Sequence, residues 1–411
     1  MFFKKCTRCS CAVLTAIFTL LVPSALSQNQ YKILHAFTAT GGDGGGVYGG
    51  VAFDQQGNLF GTTGGGGAYG YGTVFELSPN SGGTWEETIL ASFMNGDLNG
   101  QEPQSTPAVD ATGNVYVTNL GGAKRGGNIL QFMPNPMGWN LQVIYNFCSQ
   151  PNCEDGSNPY SGVAVDHNGN LYGTAFVVFE LSPASGGWAE NVLYSFCPTS
   201  SCNTGFNPFG GVILDRLGNL YGATGLGGPT GGGVVYELRH AAETWKVTVP
   251  HSFGTFPGDG VGPTGNTAVD NSGDIFGVTA GGGTNKCITT CGTIYKLTPT
   301  SNGHWKETVL FDFTNGSTGF SPVAGVTLDA AGNIYGTTLY GGSSTCGCGT
   351  VFKLSPNSNG TWTYSVLHTF EGPDGNSPMA KLVLHNGKLY GTTVAGGGTS
   401  GSFGVVFELT P

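Results

Sequence analysis

Apolar and polar positions alternate along this chain in short runs, and the runs return in a fixed order. In one such unit Gly162-Val163-Ala164-Val165-Asp166 alternates and ends on a turn residue, which predicts a first strand, A. His167-Asn168-Gly169 reads as a turn, with Gly169 suited to a positive φ. Residues 170–174 predict strand B and Phe176 to Leu181 strand C. A second turn over Pro183 to Gly187 leads into strand D, Trp188 to Phe196. No window holds a helical period. The unit recurs. Asp329-Ala330-Ala331-Gly332-Asn333-Ile334-Tyr335-Gly336-Thr337-Thr338 is nearly repeated from Asp54 to Thr63, with further copies starting at Asp110, Asp166, Asp215 and Asp270. A copy one residue shorter starts at His385. The shared glycines Gly57, Gly113, Gly169, Gly218, Gly273, Gly332 and Gly387 lie 56, 56, 49, 55, 59 and 55 residues apart. Four short strands per period of this size are the content of a propeller blade.

The phase of the repeat predicts a closed ring. The chain ends on Gly404-Val405-Val406-Phe407-Glu408-Leu409, a strand C with no strand D behind it. It opens on residues 29–37, where Ile33-Leu34-His35-Ala36-Phe37 matches Val366-Leu367-His368-Thr369-Phe370 of a strand D. The missing outer strand of the last unit therefore lies at the start. The expectation is an all-β, seven-bladed propeller of four-stranded antiparallel blades, a single domain over residues 28–411. Blade seven combines residues 379–411 with 29–37. All six tryptophans, Trp85, Trp139, Trp188, Trp245, Trp305 and Trp362, fall on one position of strand D, eight residues before a Phe. A β-branched residue such as Val192 or Val309 stands between them, and even spacing predicts Trp, Val and Phe on one strand face. Blade-to-blade packing is the simpler role; a ring of sugar-stacking platforms is the alternative.

The first 27 residues break the pattern. Lys4, Lys5 and Arg8 precede an apolar run from Ala12 to Val22, and Ala25-Leu26-Ser27 offers small residues for cleavage, which reads as a secretory signal. No later stretch is apolar enough to span a bilayer. After its removal 12 basic residues face 25 acidic ones, a net charge of −13. That balance argues against nucleic acid and anionic membranes as partners. The 73 glycines sit at fixed repeat positions between apolar strands, so they read as turns and not as disorder.

Eight cysteines remain in four close pairs, Cys148/Cys153, Cys197/Cys202, Cys287/Cys291 and Cys346/Cys348. An even count in a secreted chain predicts disulfides, here staples within single loops. Zinc held by two thiolate pairs is the rival, but no Cys-x-x-Cys spacing is present and the pairs fall in different repeats.

The chain resembles the bacterial GloVer-type tandem-repeat proteins, a choice-of-anchor extracellular family. The residues that carry the likeness are Gly332 to Thr338, Gly341-Gly342, Gly349 to Pro356, Trp362 to Phe370 and Asp374 to Pro378, and it extends over essentially all of residues 29–411. The resemblance implies a secreted or surface-displayed repeat protein and no particular reaction. Pro411 ends the sequence without the family's C-terminal anchor, which favours release over attachment.

Blade connectivity places the D-to-A links and the B-to-C loops on one face. Each link carries a polar residue: Asp43, Asn99, Asp155, Thr204, Asp259, Thr318 and Asp374 in turn. A proline follows in six of them, Pro103, Pro159, Pro208, Pro263, Pro322 and Pro378, with Val47 in the first. Capping of the local turn is the simpler role, since Thr and Asn serve it as well as Asp. Alternatively, Asp43, Asp155, Asp259 and Asp374 ring a channel mouth and bind sugar hydroxyls or a structural calcium ion, the one cofactor the sequence leaves room for. The Gly-rich B-to-C loops carry the variable side chains Tyr69, Tyr71, Lys124, Arg125, Lys286, Tyr340 and Phe403, the first choice of ligand surface. Blade three lacks this loop, since Thr174-Ala175-Phe176 turns directly. His35, His251 and His368 read as wall residues of strand D, so no histidine base or histidine metal site is expected on this face. Asp54, Asp110, Asp166, Asp215, Asp270 and Asp329 read as turn caps, and no residue is assigned a catalytic or metal-binding role. The leading expectation is a secreted, non-catalytic propeller that binds an extracellular glycan or protein. An extracellular carbohydrate-active or lactonase-like enzyme using the link carboxylates with a divalent cation, and a structural envelope protein, are the alternatives.

Overall fold

The computed structural model describes residues 30–123, 125–197, 202–241, 244–284, 291–343, 345–398 and 403–411. The expected signal segment, Asn29, Lys124, Lys286 and Cys287 lie outside them. Seven antiparallel sheets of four strands follow one another around a ring. Blade one, for example, is built from Ala52–Phe53, Leu59–Thr63, Thr73–Pro79 and Trp85–Ser92 in strand order A to D. One 3₁₀ turn, Pro151–Cys153, is the only helical element among the described residues.

The ring closes as the repeat phase predicts. Tyr31–Ala36 pairs antiparallel with Val405–Leu409 and completes the sheet of Val383–His385 and Lys388–Thr393. The inner edge closes too, because Thr392 Oγ1 in blade seven donates to Gly49 O in blade one at 2.8 Å. The same threonine stitch runs from Thr62 to Ser105 O and from Thr118 to Ser161 O. Neighbouring inner strands converge on the axis, and at Gly162 they leave no room for a side chain. A Cβ on Gly162 would lie 2.1 Å from Thr106 O. Strand A is shorter than its sequence pattern in blade three, where only Ala164–Val165 is laddered. Strand C is longer than predicted, since Val177–Ala184 runs through Pro183, which pairs opposite Trp188.

The core is seven apolar clusters, each between two successive blades. All six tryptophans are half-buried against these clusters, so they pack blades together. The expected one-faced alignment of Trp, Val and Phe does not hold. Every strand D carries a one-residue register shift against strand C, as between Val178 and Phe179, which face Tyr194 and Val192. An extra residue in a strand with period two turns everything beyond it to the other face. Trp188 and Val192 consequently pack with Phe147 of the preceding blade, while Phe196 packs with Tyr236 and Trp245 of the following one.

Strand B shows how size is matched within a blade. A Cβ on Gly61 would meet the Phe75 ring at 2.2 Å, and Gly336 faces the Phe352 ring in the same way. Blade two carries Val117 there and places Leu130 opposite in place of an aromatic ring. The turn caps behave as predicted. Asp54 Oδ1 accepts from Gln56 N and Asn58 N at 2.9 and 2.8 Å, and Oδ2 accepts from Asn58 Nδ2. Disulfides join Cys148 to Cys153, Cys197 to Cys202 and Cys346 to Cys348, each within one loop. Cys291 is also disulfide-bonded. These thiolates are therefore not zinc ligands.

Candidate functional site

The D-to-A links and B-to-C loops share a face, as the connectivity requires. Gly44–Gly45 pairs with Gly65–Gly66, and bridges join Phe206 to Leu226, Phe320 to Tyr340 and Asn376 to Ala395. Each link leaves the outer strand of one blade and returns to the inner strand of the next. Three strand spacings of about 4.8 Å separate those strands, so a link descends roughly 14 Å toward the axis. Place along the link sets radius.

The four link aspartates sit at the outer end. Asp155 accepts from Ser149 N at 2.8 Å, Ser149 Oγ at 2.7 Å, Gln150 N at 3.2 Å and Tyr145 Oη at 2.9 Å, all in its own link or the strand before it. Burial works to raise its pKa, but these donors outweigh it and hold the carboxyl below the usual range. Asp43 caps Thr38 and meets His35; Asp259 caps Thr255 and meets His251; Asp374 caps Glu371 and meets His368. At Thr204 the hydroxyl bonds Tyr194 Oη. The carboxylates therefore stand beside outer strands as local caps and do not ring a channel mouth. The histidines of strand D are not merely wall residues either, because their Nε2 atoms reach up into the links of this face.

The inner end of the links forms the central mouth. A Cβ on Gly72, Gly127, Gly233, Gly292 or Gly349 would lie within 2.9 Å of the proline in the next link, so the prolines seal adjacent blades. The residue after each proline position is then released toward the axis. In order these are Tyr48, Gln104, Tyr160, Phe209, Thr264, Val323 and Met379, and all seven line one cavity of about 440 Å³. Tyr48, Tyr160, Phe209 and Met379 are 38 to 46 % exposed. The Tyr160 and Phe209 rings meet edge to face at 5.6 Å. Ser105, Thr106, Ser161 and Asn266 supply polar lining, and Lys381 is the only formally charged residue of the wall. Its ammonium donates to Thr267 O at 3.4 Å and has no carboxylate within ion-pair distance among the described residues. Burial pushes it down to about 8.

None of the expected rim residues lines this cavity. Tyr69 and Arg125 are exposed on the loops of blades one and two. Tyr71 packs into the cluster between those blades, Tyr340 lies 5.5 Å from the Phe320 ring, and Phe403 covers Gly45. They are spread around the face and not gathered. Blade three does turn directly, with Ala175 N donating to Val177 O.

The repeat profile of the Gloeobacter/Verrucomicrobia repeat matches residues 16–176 and 176–407, nearly the whole chain. The chain belongs to the Gloeobacter/Verrucomicrobia repeat family. Among solved structures, a protein from Lactobacillus plantarum is similar at 14 % identity and TM-score 0.51, over 77 % of this chain and 83 % of that one. The extracellular domain of a hybrid two-component system from B. thetaiotaomicron is similar at 13 % identity and TM-score 0.55, over 93 % of this chain and 42 % of that one. At such identities the likeness concerns the fold. No curated protein matches the chain. No described helix is long and apolar enough to cross a membrane.

Within a Gloeobacter/Verrucomicrobia repeat, the mouth position has a signature that sequence reasoning passed over. The residue after the proline position changes chemical class from blade to blade, as does the residue two before it. At the mouth position the seven side chains converge on one cavity.

Proposed function

We propose that the protein is a secreted, non-catalytic glycan-binding propeller whose ligand enters the central mouth, with an acidic sugar against Lys381. The observation that carries this reading is the cavity of about 440 Å³ with exposed Tyr48, Tyr160 and Phe209 above a polar wall and one unpaired ammonium. Rings offer flat faces for pyranose stacking, and the hydroxyl and amide groups below offer hydrogen bonds. The volume suits one or two sugar units. A protein partner would need on the order of 800 Å² per side, far more than the mouth presents. Secretion is supported by the disulfides and by the signal-like first 27 residues. An enzyme reading built on link carboxylates finds them at the outer edge, away from this cavity.

Calorimetric titration of the mature chain against neutral and uronic-acid oligosaccharides tests the proposal. Tyr160→Ala and Phe209→Ala should each weaken binding at least about tenfold, the loss of roughly 1.4 kcal/mol of contact. Lys381→Met should abolish the preference for uronic acids. The reading is wrong if no oligosaccharide binds, or if binding survives all three changes.

A further inference from the structure

Where two blades meet at the outer edge, two side chains face each other. One stands two residues before the terminal Phe of strand D; the other stands two residues after the Trp position of the next strand D, which Asn29 occupies in blade seven. The pairings are matched in kind. Phe311 stacks on Tyr364 at 4.0 Å and His368 on Tyr31 at 4.0 Å, while Tyr194 and Val247 share an apolar cluster. At two interfaces the pair is histidine and glutamate. His35 in blade seven meets Glu87 in blade one, and His251 in blade four meets Glu307 in blade five.

The link aspartate completes each of these two sites in the same way. Asp43 Oδ2 accepts from Thr38 N and Thr38 Oγ1, at 2.6 and 2.8 Å, which leaves Oδ1 facing His35 Nε2. Asp259 Oδ2 accepts from Thr255 N and Thr255 Oγ1, at 2.9 and 3.2 Å, which leaves Oδ1 facing His251 Nε2. One carboxylate oxygen is thus anchored to backbone and the other is presented, as an outer shell does for a metal ligand. The three ligand atoms of each group lie within 4.8 Å of one another.

The separations fit a shared ion better than a hydrogen bond. His35 Nε2 is 3.4 Å from Asp43 Oδ1 and 3.7 Å from Glu87 Oε2; His251 Nε2 is 3.3 Å from Asp259 Oδ1. Hydrogen bonds to nitrogen cluster at about 2.9 Å. Ligands held about 2.1 Å from a tetrahedral zinc ion stand about 3.4 Å apart. His368 gives the contrast inside the same molecule. Tyr31 replaces the glutamate there, and His368 Nε2 closes to 2.8 Å on Asp374. One oxygen of each glutamate, Glu87 Oε1 and Glu307 Oε1, is also buried without a hydrogen-bond partner. Glu190 Oε1 shares that state, but the residue facing it is Tyr145, which offers no imidazole.

We propose that His35, Asp43 and Glu87, and likewise His251, Asp259 and Glu307, are two equivalent sites for a divalent transition cation of zinc's chemistry. Each site takes one imidazole and two carboxylates and leaves a position for water. Each ion clamps two blades, and the first clamps the junction that closes the ring.

Zinc alone is the probe, titrated into the mature chain with its disulfides intact and read by a competing chromophoric chelator. Two equivalents are expected. His251→Asn should leave one, and His35→Asn combined with His251→Asn should leave none. His368→Asn and Glu190→Gln should still take two. Zinc should raise the melting temperature of the native chain and not that of the double variant, whose far-ultraviolet spectrum reports whether it folds. No saturable uptake, or uptake unchanged in a folded double variant, overturns the proposal. A double variant that does not fold is replaced by Glu87→Gln with Glu307→Gln, which keeps both imidazoles and must lose the same two equivalents.

Discussion

Removing residues 30–37 takes only eight residues from the start of the propeller sequence, yet it should unfold far more than one strand. The strand Tyr31–Ala36 is the outer strand of blade seven, pairing residue by residue with Val405–Leu409. Its Leu34 is 9 % and the adjoining Phe37 is 2 % exposed, both in the cluster between blades seven and one. Burial of a large apolar side chain contributes about 1.5–3 kcal/mol, so these two account for about 3–6 kcal/mol. A typical domain has only roughly 5–15 kcal/mol in total. The deletion also bares the edge of Val405–Leu409, free to pair between molecules. Calorimetry of the truncated chain should therefore show a much lower melting temperature, and light scattering should show aggregation. A permuted chain makes the case specific. Thr410 N already donates to Gln30 O, so the two ends meet as a hairpin would. Moving residues 30–37 behind Pro411 through a turn like Asn80 to Thr84 should restore most of the stability. An open array would respond differently, losing only the contacts of its last strand. If the truncated chain melts like the native one, the closed ring is refuted.

Three further outcomes follow from the packing. Burial and the nearby Asp155 push the Glu190 carboxyl up to about 7, against an ordinary 4.5. A raised carboxyl contributes stability below its unfolded value and loses it as pH climbs through the folded one. Glu190→Gln should consequently stabilise the protein at pH 8 relative to pH 4.5, by about 1–2 kcal/mol after solvent screening, read as the difference between denaturant midpoints. Gly61→Ala should cost about 1–3 kcal/mol by overpacking against Phe75, and Phe75→Leu should recover part of it, as the Val117 and Leu130 pair does in blade two. Independent, additive losses would refute that account. Trp245→Ala should lower stability by about 2–4 kcal/mol while oligosaccharide affinity stays unchanged; a fall in affinity at constant stability would restore the stacking-platform role.

Architecture was legible because it is repeated. Seven copies of one pattern average out local ambiguity, and the phase of the last copy against the first needs no side-chain detail. Single insertions are another matter. The bulge in strand D adds one apolar residue, such as Leu193 between Val192 and Tyr194, and an apolar residue in an apolar run carries no mark. Yet that residue decides that Trp188 faces blade two and Phe196 faces blade four. Even spacing in the sequence was therefore a faithful count and a false guide to sidedness.

The central cavity was passed over for a similar reason. A link was read as a point on a face, whereas it is a path across that face from rim to axis. Asp155 and Tyr160 are five residues apart, which an extended chain of about 3.3 Å per residue can stretch over the full radius of a blade. The aspartate accordingly caps the outer strand, and the tyrosine reaches the mouth. The same geometry explains where sequence is free to vary. Near the rim a link must cap its strand, so Asp, Asn or Thr recurs; under it the proline must seal against a glycine of the preceding blade. Past the proline the chain has met its structural obligations, and Tyr, Gln, Phe, Thr, Val and Met all occur. The residue two before the proline position varies as widely, from Gly45 and Gln101 to Phe206 and Asn376, so what sets the mouth apart is the convergence of seven such side chains on one cavity.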